Sequence, residues 1–218
     1  KNPETDLGRF GMGLTTATLS LCRRVIILTK IEGGELLKGV ADIDEMIADN
    51  KFKMEIGGIT KDDAALFSEI SKASNPPLES SSGTVVQLLK VDRLTNTNLS
   101  IASDILRKRI SRVYRIFLQN KCSIAVNGKP AITFDPLDPV PGEPSKIIVD
   151  ESFPWPLEGN RSDDGDNMER VRVKVAFLPE VSQEVAEDLN INQSGQGFYL
   201  LRNLREIVDG VHLNIYTK

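Results

Sequence analysis

Gly8-Arg9-Phe10-Gly11-Met12-Gly13-Leu14 runs directly into Thr15-Thr16-Ala17-Thr18-Leu19-Ser20-Leu21-Cys22. The spacing G-x-x-G-x-G followed by small residues with an apolar repeat is the pattern of a glycine-rich turn that opens a helix. Such a turn presents unpaired backbone N–H groups and the positive end of the helix dipole. It therefore holds a phosphate chain without any side-chain ligand. Two readings stand side by side: a nucleotide phosphate site, and a helix-packing turn with no ligand. Spacing alone does not separate them.

The 218 residues suffice for one large domain or two small ones. Lys and Arg number 27 against 31 Asp and Glu, a net charge of −4, so no global basic field favours nucleic acid. Cys22 and Cys122 have no metal-ligand spacing and read as reduced, buried small hydrophobes of a cytosolic protein. No apolar run approaches the ~18 residues that suggest a membrane span, and no signal-peptide pattern is present. The expected location is cytoplasmic. Lys1 stands almost against the glycine motif, so the chain reads as a piece of a longer polypeptide.

Along the chain, Leu14 to Arg23 suits a short helix, and the β-branched run Arg24 to Lys30 suits a buried strand. Gly33-Gly34 marks a hairpin turn, with further strands expected over Leu36 to Val40 and Phe52 to Ile56. Asp42 to Asn50 is ambiguous. Thr60 reads as the N-cap of a helix reaching about Lys72. Ser74 to Ser82 is a loop, and Gly83 to Val91 is the clearest strand of the first half. The longest helix is expected over Asn96 to Leu118, with Ala102, Leu106, Ile110, Val113 and Phe117 on one face and Arg107, Lys108, Arg109, Arg112 and Arg115 on the other. Asn127-Gly128 between apolar alternations marks a hairpin. Arg170 to Leu178 alternates as a strand, and Gly197 to Arg202 with Glu206 to Val208 bracket another turn.

The segment Leu7 to Leu14, followed by Leu21-Cys22-Arg23-Arg24-Val25, resembles the second glycine box of the GHKL ATPases. That superfamily includes gyrase B, the large ATP-dependent heat-shock chaperone, sensor histidine kinases, MutL and the MORC proteins. Ser82-Gly83-Thr84-Val85-Val86 resembles its Gly-Thr box at the head of a core strand. Ile124 to Lys129 with Asp135-Pro136, and Gly197 to Ile207, are similar to parts of the second domain of heat-shock-chaperone-like and MORC-like members. The likeness covers most of the chain, in order. It implies an α+β chain: residues 1–118 as the C-terminal half of a GHKL (Bergerat) α/β sandwich, a mixed sheet with helices on one face, and residues 119–218 as a β-rich, transducer-like domain.

The resemblance implies ATP with Mg²⁺ as cofactors, slow hydrolysis, lid closure over the γ-phosphate, domain docking and nucleotide-dependent homodimerisation. Gly8, Arg9, Phe10, Gly11, Met12, Gly13, Leu14, Thr15 and Thr84 are the implied nucleotide-binding residues. Glycine serves there because a Cβ would block the phosphate. Arg9 and Phe10 suit a mobile lid, with packing the favoured reading of Phe10, and Thr84 reads equally as a β-favourable opener of its strand. Family members carry a catalytic Glu, a metal-holding Asn and an adenine-reading Asp ahead of the glycine box, and nothing in these residues matches them. The catalytic residues are thus unknown, no metal ligand is assigned here, and the missing N-terminal part of the ATPase domain is an expected partner. Many members have Lys where this chain has Thr15. That departure supports an alternative, a degenerate non-enzymatic module that uses the same fold for protein or DNA contacts. In the family the transducer supplies a Lys to the γ-phosphate, and Lys218 lies near that place.

The five cations from Arg107 to Arg115 would suit phosphates, but without interleaved aromatic residues they read first as a solvated face paired with carboxylates. Nucleic acid is possible and not favoured, and a membrane partner is not expected. Asp163-Asp164-Gly165-Asp166-Asn167 lacks the register of a calcium loop. His212, the sole histidine, reads as an ordinary strand residue.

Overall fold

The computed structural model describes residues 13–73, 82–120, 122–155, 169–189, 191 and 197–211. Gly8, Arg9, Phe10, Gly11, Met12, the Thr15 side chain, Asp163 to Asn167, His212 and Lys218 lie outside the described residues. The fold is α+β, and the chain divides into two units, Lys1–Ala102 and Ser103–Lys218. The sequence reading placed this boundary near residue 118, whereas the division falls in the first turn of the long basic helix.

The first unit runs α1 (Gly13–Leu19), β1 (Cys22–Lys30), β2 (Leu37–Asp42), α2 (Ile43–Ala48), β3 (Glu55–Gly57), α3 (Lys61–Ala73) and β4 (Gly83–Val91). Its four strands are ordered β3-β2-β1-β4, and each pairing is antiparallel. The expected mixed sheet is thus corrected, among the described residues, to an antiparallel one.

The cause of the layering is in β1. Successive strand residues point to opposite faces, and Val25, Ile26, Ile27 and Leu28 are apolar at every step. Ile26 and Leu28 pack with Val85 of β4 and Phe67 of α3 on one face. Val25 and Cys22 pack with Ala41 of β2 on the other, where Leu19 of α1 and Met46 of α2 close over them. Helices therefore lie on both faces, in place of the one expected, because β1 offers an apolar side chain to each. Beyond that second cluster, Leu37, Ile56 and Val86 stay exposed. Cys22 is buried as expected, whereas Cys122 is exposed.

Thr60 caps α3 as anticipated. The Asp63 amide donates to Thr60 Oγ1 at 3.2 Å, and the Asp63 carboxylate accepts from the Thr60 amide at 2.9 Å and its hydroxyl at 2.7 Å. This is a reciprocal capping box. Lys38 of β2 donates to the same carboxylate at 2.7 Å, which fastens α3 to the sheet. At the other end of β2, Asp42 caps the short helix that the sequence left ambiguous, accepting from the amides of Asp44 and Glu45. Burial pushes the Asp42 carboxyl up, but those two amides and Lys90 outweigh it and hold it below its ordinary value. Lys90 reaches Asp42 and Asp44 from a left-handed backbone, φ 53°.

The second unit contains most of α4 (Leu99–Val113), then α5 (Arg115–Asn120), β5 (Ala125–Val126), β6 (Lys129–Pro130), β7 (Lys146–Trp155), β8 (Glu169–Phe177), α6 (Gln183–Asp188), β9 (Phe198–Arg202) and β10 (Arg205–Val211). The expected single helix over Asn96 to Leu118 is two, parted at Tyr114. Strands pair as three antiparallel ribbons, β5-β6, β7-β8 and β9-β10. Asn127 and Gly128 both have positive φ, as do Asn203 and Leu204 in the next hairpin. Positive φ at both central residues is the twist-matched two-residue turn. β7 and α6 were not anticipated.

The Asp63 carboxyl is held down to about 2 by its bond from Lys38 first, then by Thr60. A carboxyl whose folded value lies below its unfolded value stabilises the fold above the unfolded value and loses that contribution as pH falls. Thermal melts should therefore lose stability between about pH 4 and pH 2 through this group. Asp63→Asn should cost about 1–3 kcal/mol at neutral pH and flatten part of that acid loss. An unchanged acid profile in the variant would contradict the assignment.

Candidate functional site

In the first unit, the helix expected after the glycines begins at Gly13. Two residues, Ser20 and Leu21, carry the chain from α1 into β1. The amides of Asp92 and Arg93, just past β4, donate to the Leu21 carbonyl at 3.3 Å each, and the Arg93 guanidinium donates to the Leu19 carbonyl at 2.8 Å. The C-terminal end of α1 is thus tied to the end of β4. At its other end, a Cβ built on Gly13 meets no described residue within 4 Å, and Leu14 is exposed. Nothing described in the fold requires glycine at position 13.

Gly83 opens β4 with φ 155°, a conformation that suits glycine. Thr84 follows it and lies opposite Thr29, at the far end of β1 from the Cys22 junction with α1. The two hydroxyls are 2.8 Å apart, and Thr29 Oγ1 also donates to the Gly83 carbonyl at 3.3 Å. The Thr84 hydroxyl is therefore engaged with β1. The sheet joins the glycine-box helix and the Gly-Thr strand through β1, to which β4 pairs from Cys22↔Val91 to Lys30↔Gly83.

The second unit holds an ion network. Arg115 Nη1 lies 2.6 Å from Glu206 Oε2, and its Nε lies 3.7 Å from Asp135 Oδ1. Arg112 Nε lies 2.8 Å from Glu206 Oε1, and Nη2 lies 2.7 Å from Asp209 Oδ2. The Arg115 and Glu206 side chains are 4% and 1% exposed, so this pair is interior. The Arg112 guanidinium also stands 6.0 Å from the Tyr199 ring centre, and Arg205 stands 5.5 Å from that of Tyr114. Burial pushes the Tyr199 phenol up. The reading of all five cations as a solvated face is thus corrected: Arg115 is buried, Arg112 mostly so, and both clasp β10. The carboxylates were visible in the sequence, but nothing local pairs Arg115 with a residue 91 positions away.

Beside this network lies a cleft of about 1110 Å³, walled by α4, the segment after β6, the end of β8 and the start of β9. Lys108, Arg109 and Arg112 line it together with Phe134, Leu137 and Phe177. Among the described residues, no three His, Cys, Asp or Glu side chains are grouped to hold a metal ion, and no helix is long and apolar enough to cross a membrane. In comparisons with protein-family models, with curated proteins and with solved structures, nothing matches this chain.

Removing one member of a buried ion pair leaves the other charge uncompensated. Arg115→Ala should lower the unfolding free energy of the second unit by about 3–5 kcal/mol, measured by chemical denaturation. A loss below about 1 kcal/mol, the range of exposed pairs, would show that water reaches this network in solution.

Proposed function

We propose that the chain supplies the phosphate-holding part of a GHKL-type, ATP-dependent switch, with the second unit as its transducer. The observation that carries this reading is the joining of two separated sequence boxes by one strand. α1 opens at Gly13 and enters β1, and β4, opened by Gly83-Thr84, pairs along that same strand. The space beside Gly13 is consistent with an anion approaching the first helical amides.

In this reading Gly8 to Leu14 cradle the β- and γ-phosphates through backbone N–H groups, while Thr15 occupies the position where relatives by resemblance carry a charge-neutralising Lys. The general base, the Mg²⁺-holding side chain and the adenine contact belong to a preceding part of the domain. The exposed Leu37, Ile56 and Val86 offer that part an apolar surface. Closure over the γ-phosphate then drives docking and dimerisation, a gating cycle.

Calorimetry with ATP and Mg²⁺, on the longest natural polypeptide that carries these residues, tests the proposal. Binding should be measurable, and Gly13→Ala should weaken it at least about tenfold by placing a methyl group against the phosphate. The same substitution should leave folding intact or raise stability by up to about 1 kcal/mol, since alanine is the better helix former. Absence of heat with ATP, while a protein or DNA partner still binds, would replace this reading with the non-enzymatic module. Undiminished binding by Gly13→Ala would remove the glycine box from the site.

A further inference from the structure

We propose that the cleft in the second unit binds an apolar acid, a small molecule with one carboxylate or phosphate head and an aliphatic or aromatic body. No residue of the glycine box or of β4 contributes to it, and it stands apart from the ATP reading. Its volume, about 1110 Å³, lies just above the usual range of small-molecule sites and far exceeds the room that a bare phosphate needs. Phe134, Leu137, Phe177 and Leu178 give it an apolar wall.

The charges decide the head group. Five cations lie between Arg107 and Arg115, and three are already neutralised: Arg107 by Asp104, Arg112 by Glu206 and Asp209, and Arg115 by Glu206 and Asp135. Lys108 and Arg109 have no ion pair among the described residues, and both line the cleft. Among the described lining residues Asp188 is the one carboxylate, set against the unpaired Lys108 and Arg109. Two free cations beside an apolar wall match one anionic head on an apolar body. A nucleic-acid strand asks instead for a row of free cations along its backbone, and the clasp has consumed that row.

The test uses the full 218-residue chain without nucleotide. Anilinonaphthalene sulfonate, a fluorescent aromatic anion, is bound first and then displaced with decanoate, decyl phosphate or decanol. Either anion should displace it at concentrations at least about tenfold below those needed for decanol, and the better of the two identifies the head group. The double variant Lys108→Glu/Arg109→Glu, at two exposed positions, should weaken the dye itself and abolish that preference, while the dissociation constant of decanol, corrected for the weaker dye, stays the same. Equal displacement by decanol and both anions in the unaltered chain would overturn the proposal, as would a preference that survives the double variant. A short oligothymidylate that displaces the dye at lower concentration than either anion, with a steep loss on adding salt, would also overturn it in favour of nucleic acid.

Discussion

The first unit depends on one strand that is apolar in both directions. β1 is bordered by β2 and β4; Ile26 and Leu28 feed one cluster, and Val25 with Cys22 feeds the other. A strand half-buried on one side would alternate apolar with polar residues, as antiparallel sheets commonly do. Val25 to Leu28 do not alternate, and this places helices on both sides of a sheet of modest width. Burying a full Val, Leu or Ile side chain contributes about 1.5–3 kcal/mol, so the buried Val25, Ile26 and Leu28 supply much of the unit's core, with Ile27 half-buried beside them. The elements proposed to hold a nucleotide, α1 and the start of β4, are fixed in space through the same strand.

The second unit is organised differently. Its buried described positions are Ser111, Arg115, Ala131, Pro139 and Glu206, with no large aliphatic side chain among them. The Arg112–Arg115–Glu206 clasp, not an apolar core, joins the α4–α5 corner to β10. Ion pairs in an interior roughly offset their own desolvation, and their geometry is unforgiving of a missing partner. The clasp therefore fixes where β10 sits more than it adds net stability. Among the described residues, Lys108 and Arg109 are then the cations of the cleft lining without an ion pair, beside the paired Arg107 and Arg112.

Legibility in the sequence followed the range of the forces involved. β4 was readable because Gly83 to Val91 carries its own β-branched pattern, and α3 because Thr60 and Asp63 form a cap within four residues. The Asn127-Gly128 hairpin was readable from its turn chemistry. β7 was not: Asp150, Glu151 and Pro154 interrupt the apolar run of Ile147 to Val149, and the strand exists through its pairing with β8. α6 does carry a local signal in the sequence, Ser182 at its N-cap. The roles of Arg112 and Arg115 were hidden because helical periodicity marks a polar face without saying whether water or Glu206 meets it. Of the residues that the resemblance implies for a nucleotide, Gly13 lies in α1 and Thr84 is engaged with Thr29.

The claim that β1 is the common support of α1 and β4 is tested most directly by native-state amide hydrogen exchange on the 218-residue chain. The amides of Val25 to Leu28 should be the slowest of the first unit. Those β4 amides that point at β1 should open with the same free energy, as one cooperative unit. Free exchange along β4 while β1 stays protected would contradict the account, because the Gly-Thr strand would then be an independent flap and not part of the frame that carries the glycine box.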